Sequence, residues 1–168
     1  MSKNEHKKLV VGLGNPGREY EGTRHNAGYM FLDYIQKQIS KSKFLSSKQI
    51  QNYKFKKTNI FMNNSGAAVR RLIDHYSLDI NHLFVAHDDL DLALGNFKVQ
   101  RGKGPKDHKG ILSVDEALGT KDYWRIRIGI DARSAGNRVD GEAYTLQKFS
   151  AGELEILRNT FQKIYAEL

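Results

Sequence analysis

The side chains best suited to joint chemistry in this chain are His25, Asp88, Asn15 and Asn63. A histidine in the first turn of a helix feels the positive end of the helix dipole, which disfavours its protonated form. His25 is therefore expected to be a neutral general base with a depressed pKa. Asp88, within reach, would hold the other ring nitrogen and fix the tautomer. Asn15 and Asn63 donate and accept hydrogen bonds without competing for protons, which suits them to bind a carbonyl and stabilise a developing oxyanion. The plainer reading is that His25 and Asn26 cap a helix and the asparagines fill turns. Their joint presence with a carboxylate partner favours a site in which water is the nucleophile.

Other chemistries fit less well. Gly12-Leu13-Gly14-Asn15-Pro16-Gly17 matches a dinucleotide fingerprint, but Arg18 to Gly22 separate the third glycine from the next helix, and Pro16 interrupts the motif. Ser65 as a nucleophile lacks the G-x-S-x-G elbow and reads as a helix cap. A metal on His87, Asp88, Asp89 and Asp91 would need carboxylates that point to opposite faces of one strand, so no metal is expected.

These residues must be positioned by alternating strands and helices. Lys8 to Leu13 reads as a buried first strand. A helix capped by Thr23 carries Phe31, Leu32, Ile35 and Ile39 at helical spacing. Ser40 to Ser47 reads as a loop, and Asn52 to Lys57 and Thr58 to Met62 as two tightly joined strands. A helix from Ser65 turns Val69, Leu72, Ile73 and Tyr76 inward. Leu83 to Ala86 reads as a buried strand ending at His87-Asp88, and Asn96 to Gln100 as another strand. A short helix covers about Ile111 to Leu118, Trp124 to Ile130 alternates as a strand, and Asp131 to Gly141 is polar loop. Ser150-Ala151-Gly152-Glu153 is a capping box opening a last helix, with Leu154, Leu157, Phe161 and Ile164 inward. The expected fold is a single three-layer α/β/α domain over residues 1–168, with a central mixed, mostly parallel sheet. In such folds working residues gather beyond the carboxyl ends of strands, where Asn15, Met62-Asn63 and His87-Asp88 fall.

Composition fits this reading. The 168 residues are 39% hydrophobic and 27% charged, the profile of a soluble globular protein. No apolar run approaches the roughly 18 residues that span a bilayer, so no membrane partner is expected. Met1 to Lys8 is polar, unlike a secretory signal. With no cysteine, disulfides, thiolate metal sites and cysteine nucleophiles are excluded. The net charge of +8 admits a polyanion partner. Lys98, Arg101, Lys103, Lys106 and Lys109 cluster on one strand-loop unit whose glycines permit close backbone approach, and Arg125 and Arg127 share one strand face.

Taken together, Gly12 to Gly17, Tyr20 and Gly22-Thr23-Arg24-His25-Asn26-Ala27-Gly28 resemble the bacterial-type peptidyl-tRNA hydrolase family. So do Phe61-Met62-Asn63-Asn64-Ser65-Gly66, Val85 to Leu92, and Arg125 to Ile130. The resemblance implies a monomer that hydrolyses the ester between a peptide and the terminal ribose of tRNA, without metal or cofactor. It implies His25 as base, Asp88 as its partner and Asn15 as the residue distinguishing peptidyl-tRNA from aminoacyl-tRNA. Tyr20, Phe61, Met62 and Asn63 would contact the peptide and the tRNA end, and Lys98, Lys103 and Arg127 the tRNA phosphates. The compartment implied is the bacterial cytoplasm, or a mitochondrion or chloroplast in a eukaryote. Where the family's loop reads like G-G-x-G-G-H-N-G, this chain has Gly102-Lys103-Gly104-Pro105-Lys106-Asp107-His108-Lys109-Gly110. His108 keeps its place, and Lys109 replaces a substrate-contacting asparagine. Lysine accepts no hydrogen bond but can grip a phosphate. That departure admits a second reading: an RNA- or tRNA-binding relative with weak or no hydrolysis.

Overall fold

The computed structural model describes residues 7–41, 48–136 and 139–168. Five strands form one sheet in the order β2-β1-β3-β5-β4: β1 (Lys8–Gly12), β2 (Tyr53–Lys57), β3 (Leu83–Ala93), β4 (Phe97–Arg101) and β5 (Trp124–Asp131). All adjacent pairs are parallel except β4 against β5, as expected for a mixed, mostly parallel sheet. The helices are α1 (Ala27–Lys41), α2 (Lys48–Gln51), α3 (Ser65–Tyr76), α4 (Lys109–Leu118), α5 (Gly141–Thr145) and α6 (Ala151–Glu167).

Alternation along the strands sends side chains into two separate cores. Val10, Phe84, Ala86, Ile126, Ile128 and Ile130 meet Phe31 and Ile35 of α1 and Leu157, Phe161 and Ile164 of α6. On the other face Leu9, Val11, Leu83 and Val85 meet Val69 of α3 and Ile111 and Val114 of α4. Close contacts at glycines set these layers. A Cβ on Gly28 would strike the carbonyl oxygens of Ala86 and Leu13, so only glycine lets α1 begin directly on the strand ends. Gly66 similarly lets α3 lie against the backbone of Ser113 in α4.

Several boundaries differ from expectation. Thr58 to Met62 is not a strand. Thr58 N–H makes one last bond to Gly12, and Asn59 at φ 51° then turns the chain into a 3-10 turn, Met62–Asn64. Thr23 does not cap α1 through its side chain; its hydroxyl donates to the Tyr20 carbonyl, and a 3-10 turn, Arg24–Asn26, precedes the helix. Ser65 is the first residue of α3 rather than its cap, donating to the Met62 carbonyl at 2.7 Å. The acidic run after Ala86 is strand, because β3 continues along β5 to Ala93. α4 starts two residues early, at Lys109, and α5 lies partly in the segment expected to be loop. Ser40 and Lys41 continue α1, and the rest of that expected loop, 42–47, lies outside the described residues.

Candidate active site

Asp88 is the hub. It leaves β3 on the α1 face, buried, at the carboxyl end of the sheet. The 3-10 turn before α1 brings His25 to it, with Nδ1 2.9 Å from Oδ2. The loop before α4 brings His108, with Nε2 2.7 Å from Oδ1. His108 is also the N-cap of α4, its Nδ1 accepting the Ile111 N–H at 3.2 Å. An accepting nitrogen carries no proton, so the His108 proton sits on Nε2 and is donated to Asp88. His25 Nδ1 donates to the other oxygen, which leaves the His25 Nε2 lone pair for a ligand.

Burial alone would raise the Asp88 pKa, but the neighbouring His25 and His108 donors hold it well below the usual carboxylate range. Burial likewise pulls His25 down, yet the charge and hydrogen bond of Asp88 outweigh it, so the His25 pKa is raised. This overturns the expectation of a depressed value. The carboxylate is nearer and stronger than a helix dipole that begins only after an intervening 3-10 turn.

His25, Asp88 and His108 are also the group among the described residues close enough to hold a cation, their ligand atoms lying within 4.8 Å of one another. Their bonding pattern does not suit one. His108 Nε2 carries a proton fixed by its capping bond, and both carboxylate oxygens are engaged by imidazoles. The set His87, Asp88, Asp89 and Asp91 does not converge either. His87 and Asp89 project to the opposite face from Asp88, where Asp89 accepts from Arg127 Nε at 2.6 Å.

His87 is no rival base. It is fully buried, its Nδ1 donates to the Asp88 carbonyl at 2.8 Å, and burial pushes its pKa to about 3.

Asn15 is held by a reciprocal clasp. Its N–H donates to Asn26 Oδ1 at 2.8 Å, and Asn26 Nδ2 donates back to the Asn15 carbonyl at 2.9 Å. The Asn15 Oδ1 accepts the Met62 N–H at 2.7 Å, which turns the amide nitrogen toward any ligand. Met62 is buried, while Asn63 is exposed in the same 3-10 turn. Exposed Phe61 packs edge-on to Tyr20 with centroids 6.2 Å apart. Lys98 and Lys103 are exposed on β4 and the loop after it. Arg127 is not: its guanidinium is buried, bonded to Asp89 and to Gln100 Oε1 at 2.8 Å. Arg125 is likewise turned inward, to Asp115. Alternation put both arginines on one face correctly, but that face carries internal carboxylates.

The family model for peptidyl-tRNA hydrolase matches residues 9–168. The chain belongs to the peptidyl-tRNA hydrolase family. A peptidyl-tRNA hydrolase from Lawsonia intracellularis is 39% identical, covering 96% of this chain and 85% of the relative. One from Mycoplasma capricolum is 39% identical, over 92% and 87%. The crystal structure of peptidyl-tRNA hydrolase from Acinetobacter baumannii superposes with a TM-score of 0.75 at 26% identity, over 96% of this chain and 86% of that one.

Sequence reasoning about this peptidyl-tRNA hydrolase family member missed several residues. Asn26, read as a helix cap, is the clasp on Asn15. Arg24 is buried between the Tyr144 and Phe149 rings and bonded to both Glu153 oxygens, at 3.1 and 3.0 Å. Glu142 pairs with Lys109, Nζ to Oε1 2.8 Å. The capping box at Ser150 was a visible signal for Glu153; its partner 129 positions away was not.

Proposed function

We propose that this protein hydrolyses the ester joining a peptide, or an N-blocked aminoacyl group, to the terminal ribose of tRNA. The observation that carries the reading is His25 held in one tautomer by Asp88, with Nε2 left as a base. Water loses a proton to Nε2 as its oxygen attacks the ester carbonyl. The imidazolium is stabilised by Asp88, and the amides of Asn15 and Asn63 receive the negative charge on the carbonyl oxygen. When the C–O bond to the ribose breaks, the proton passes from His25 to the departing ribose oxygen. His108 keeps Asp88 oriented and ionised. Tyr20 and Phe61 offer apolar surface to the peptide and terminal base, buried Met62 anchors Asn15 through its N–H, and Lys98 and Lys103 offer charge to phosphates. No metal or cofactor enters these steps. Arg127, engaged with Asp89 and Gln100, has a structural role.

The protein would act as a single-domain monomer in the bacterial cytoplasm, or in an organelle if eukaryotic. No described helix is long and apolar enough to cross a membrane. Release of N-acetylated amino acid from tRNA by wild type, lost in His25→Ala, is the expected result. Folded wild-type protein that binds tRNA but releases nothing would overturn the hydrolase reading in favour of a binding protein.

A further inference from the structure

Lys109 stands where the family loop carries an uncharged asparagine, and the structure gives it an unforeseen partner. It is the first residue of α4, directly after His108, and its ammonium lies 2.8 Å from Glu142 in α5. Both side chains are well exposed, at 64% and 71%. The pair stands beside the base: Lys109 pulls the His25 pKa down and Glu142 pushes it up, so both charges act on the imidazole. An ion pair joining two short helices therefore stands next to the His25–Asp88–His108 cluster, since Lys109 directly follows His108, whose ring lies 5.0 Å from that of His25.

A lysine bonded to a carboxylate gives it up readily only for another anion. Exchange for a neutral ester or peptide carbonyl forfeits the charge–charge attraction, and lysine has no acceptor with which to engage an amide N–H. In the substrate class proposed above, the anions are the phosphodiesters of the polynucleotide, whereas the peptide ester and ribose are neutral. Glu142 is free to be displaced, since exposed pairs of this kind contribute little to folding.

We propose that Lys109 is a specificity residue for the nucleic-acid part of the substrate: it exchanges Glu142 for a phosphodiester oxygen near the tRNA 3′ end. The inference rests on the hydrolase reading for the identity of the ligand, but the binding arm of its test does not depend on turnover. Glu142 holds the ammonium beside the His25–Asp88–His108 cluster and competes with the phosphate, so the exchange favours esters carried on tRNA over small esters.

The experiment compares wild type, Lys109→Gln, Lys109→Arg and Glu142→Gln in two assays. In the first, Kd for N-acetylaminoacyl-tRNA is measured against salt. Lys109→Gln should weaken binding about three- to tenfold and reduce the log–log salt slope by about 0.7, the value for one contact to a single strand. Lys109→Arg should keep the slope, and Glu142→Gln should tighten binding about two- to threefold. In the second, kcat/KM is compared between N-acetylaminoacyl-tRNA and the phosphate-free N-acetylaminoacyl adenosine. The Lys109→Gln penalty should be at least about threefold larger on the tRNA substrate. An unchanged salt slope, or equal penalties on the two substrates, overturns the proposal. Wild type that turns over neither substrate while the slope difference persists would sink the hydrolase reading and leave the phosphate exchange standing.

Discussion

At the scale of single residues, the chemistry turns on the balance between burial and Asp88 at His25. Burial favours the neutral ring and the carboxylate favours the imidazolium; the carboxylate prevails, so the pKa lies above the ordinary histidine value of 6.5. A general base must be unprotonated to act, so kcat/KM should rise with pH through a limb above 6.5 and fall away below it. In Asp88→Asn the raising influence disappears while the burial remains, and the limb should move to lower pH. The amide can also present its NH2 to His25 Nδ1, which forces the proton onto Nε2 and removes the lone pair. The turnover number should therefore drop about 10²- to 10⁴-fold. Turnover of N-acetylaminoacyl-tRNA across about pH 5 to 9 checks both effects. A limb that stays in place in Asp88→Asn would show that something other than this carboxylate sets the His25 pKa.

At the scale of elements, the base is held by a seam between the two ends of the chain. Residues 22–24 are laced to residues 147–149 by Arg24 N–H to the Gln147 carbonyl and Phe149 N–H to the Gly22 carbonyl, at 2.9 and 3.0 Å. The seam ends in the α6 capping box, where Glu153 accepts both the Ser150 N–H and the Arg24 guanidinium. Glu153→Gln would leave the Arg24 charge buried and uncompensated, a loss of about 3 kcal/mol at the lower end of such cases because Glu153 is partly exposed. Ser150→Ala removes only the cap and should cost about 1 kcal/mol. Urea unfolding should show that order; a larger loss in Ser150→Ala would mean that the cap, not the arginine, anchors the seam. The capping box was plain in sequence because it is local, as was β5, whose isoleucines alternate with arginines. α5 was missed because five residues give no helical period. The Asn15–Asn26 clasp, the second imidazole on Asp88 and the Lys109–Glu142 pair depend on where distant segments meet, which spacing along the chain does not encode. The false strand at Thr58 to Met62 had an acceptable composition; the left-handed turn at Asn59 ended it.

At the scale of the whole molecule, three buried or half-buried groups beside the sheet's carboxyl end make stability depend on pH in opposite directions. Asp88 has a lowered pKa, so its contribution is present above the ordinary carboxylate range and lost as pH falls below it. His25 has a raised pKa, so its contribution is present below about 6.5 and lost as pH rises through the folded value. His87, at about 3, behaves like Asp88 but over a different window. Between about pH 3 and 6.5 the unfolded chain binds a proton there that the folded protein refuses. Stability should thus decline from about pH 6.5 downward, before the carboxylates begin to titrate, by up to about 1.4 kcal/mol per pH unit from this residue. His87→Asn removes the titration, and His87 takes no part in the side-chain hydrogen bonds that join His25 and His108 to Asp88. Whatever the variant's stability at neutral pH, its unfolding free energy should be flatter than that of wild type between about pH 4.5 and 6. Parallel curves in that interval would mean that His87 takes up its proton in the folded state, and that the cost of burying the charge is met by groups on the α4 face of the sheet.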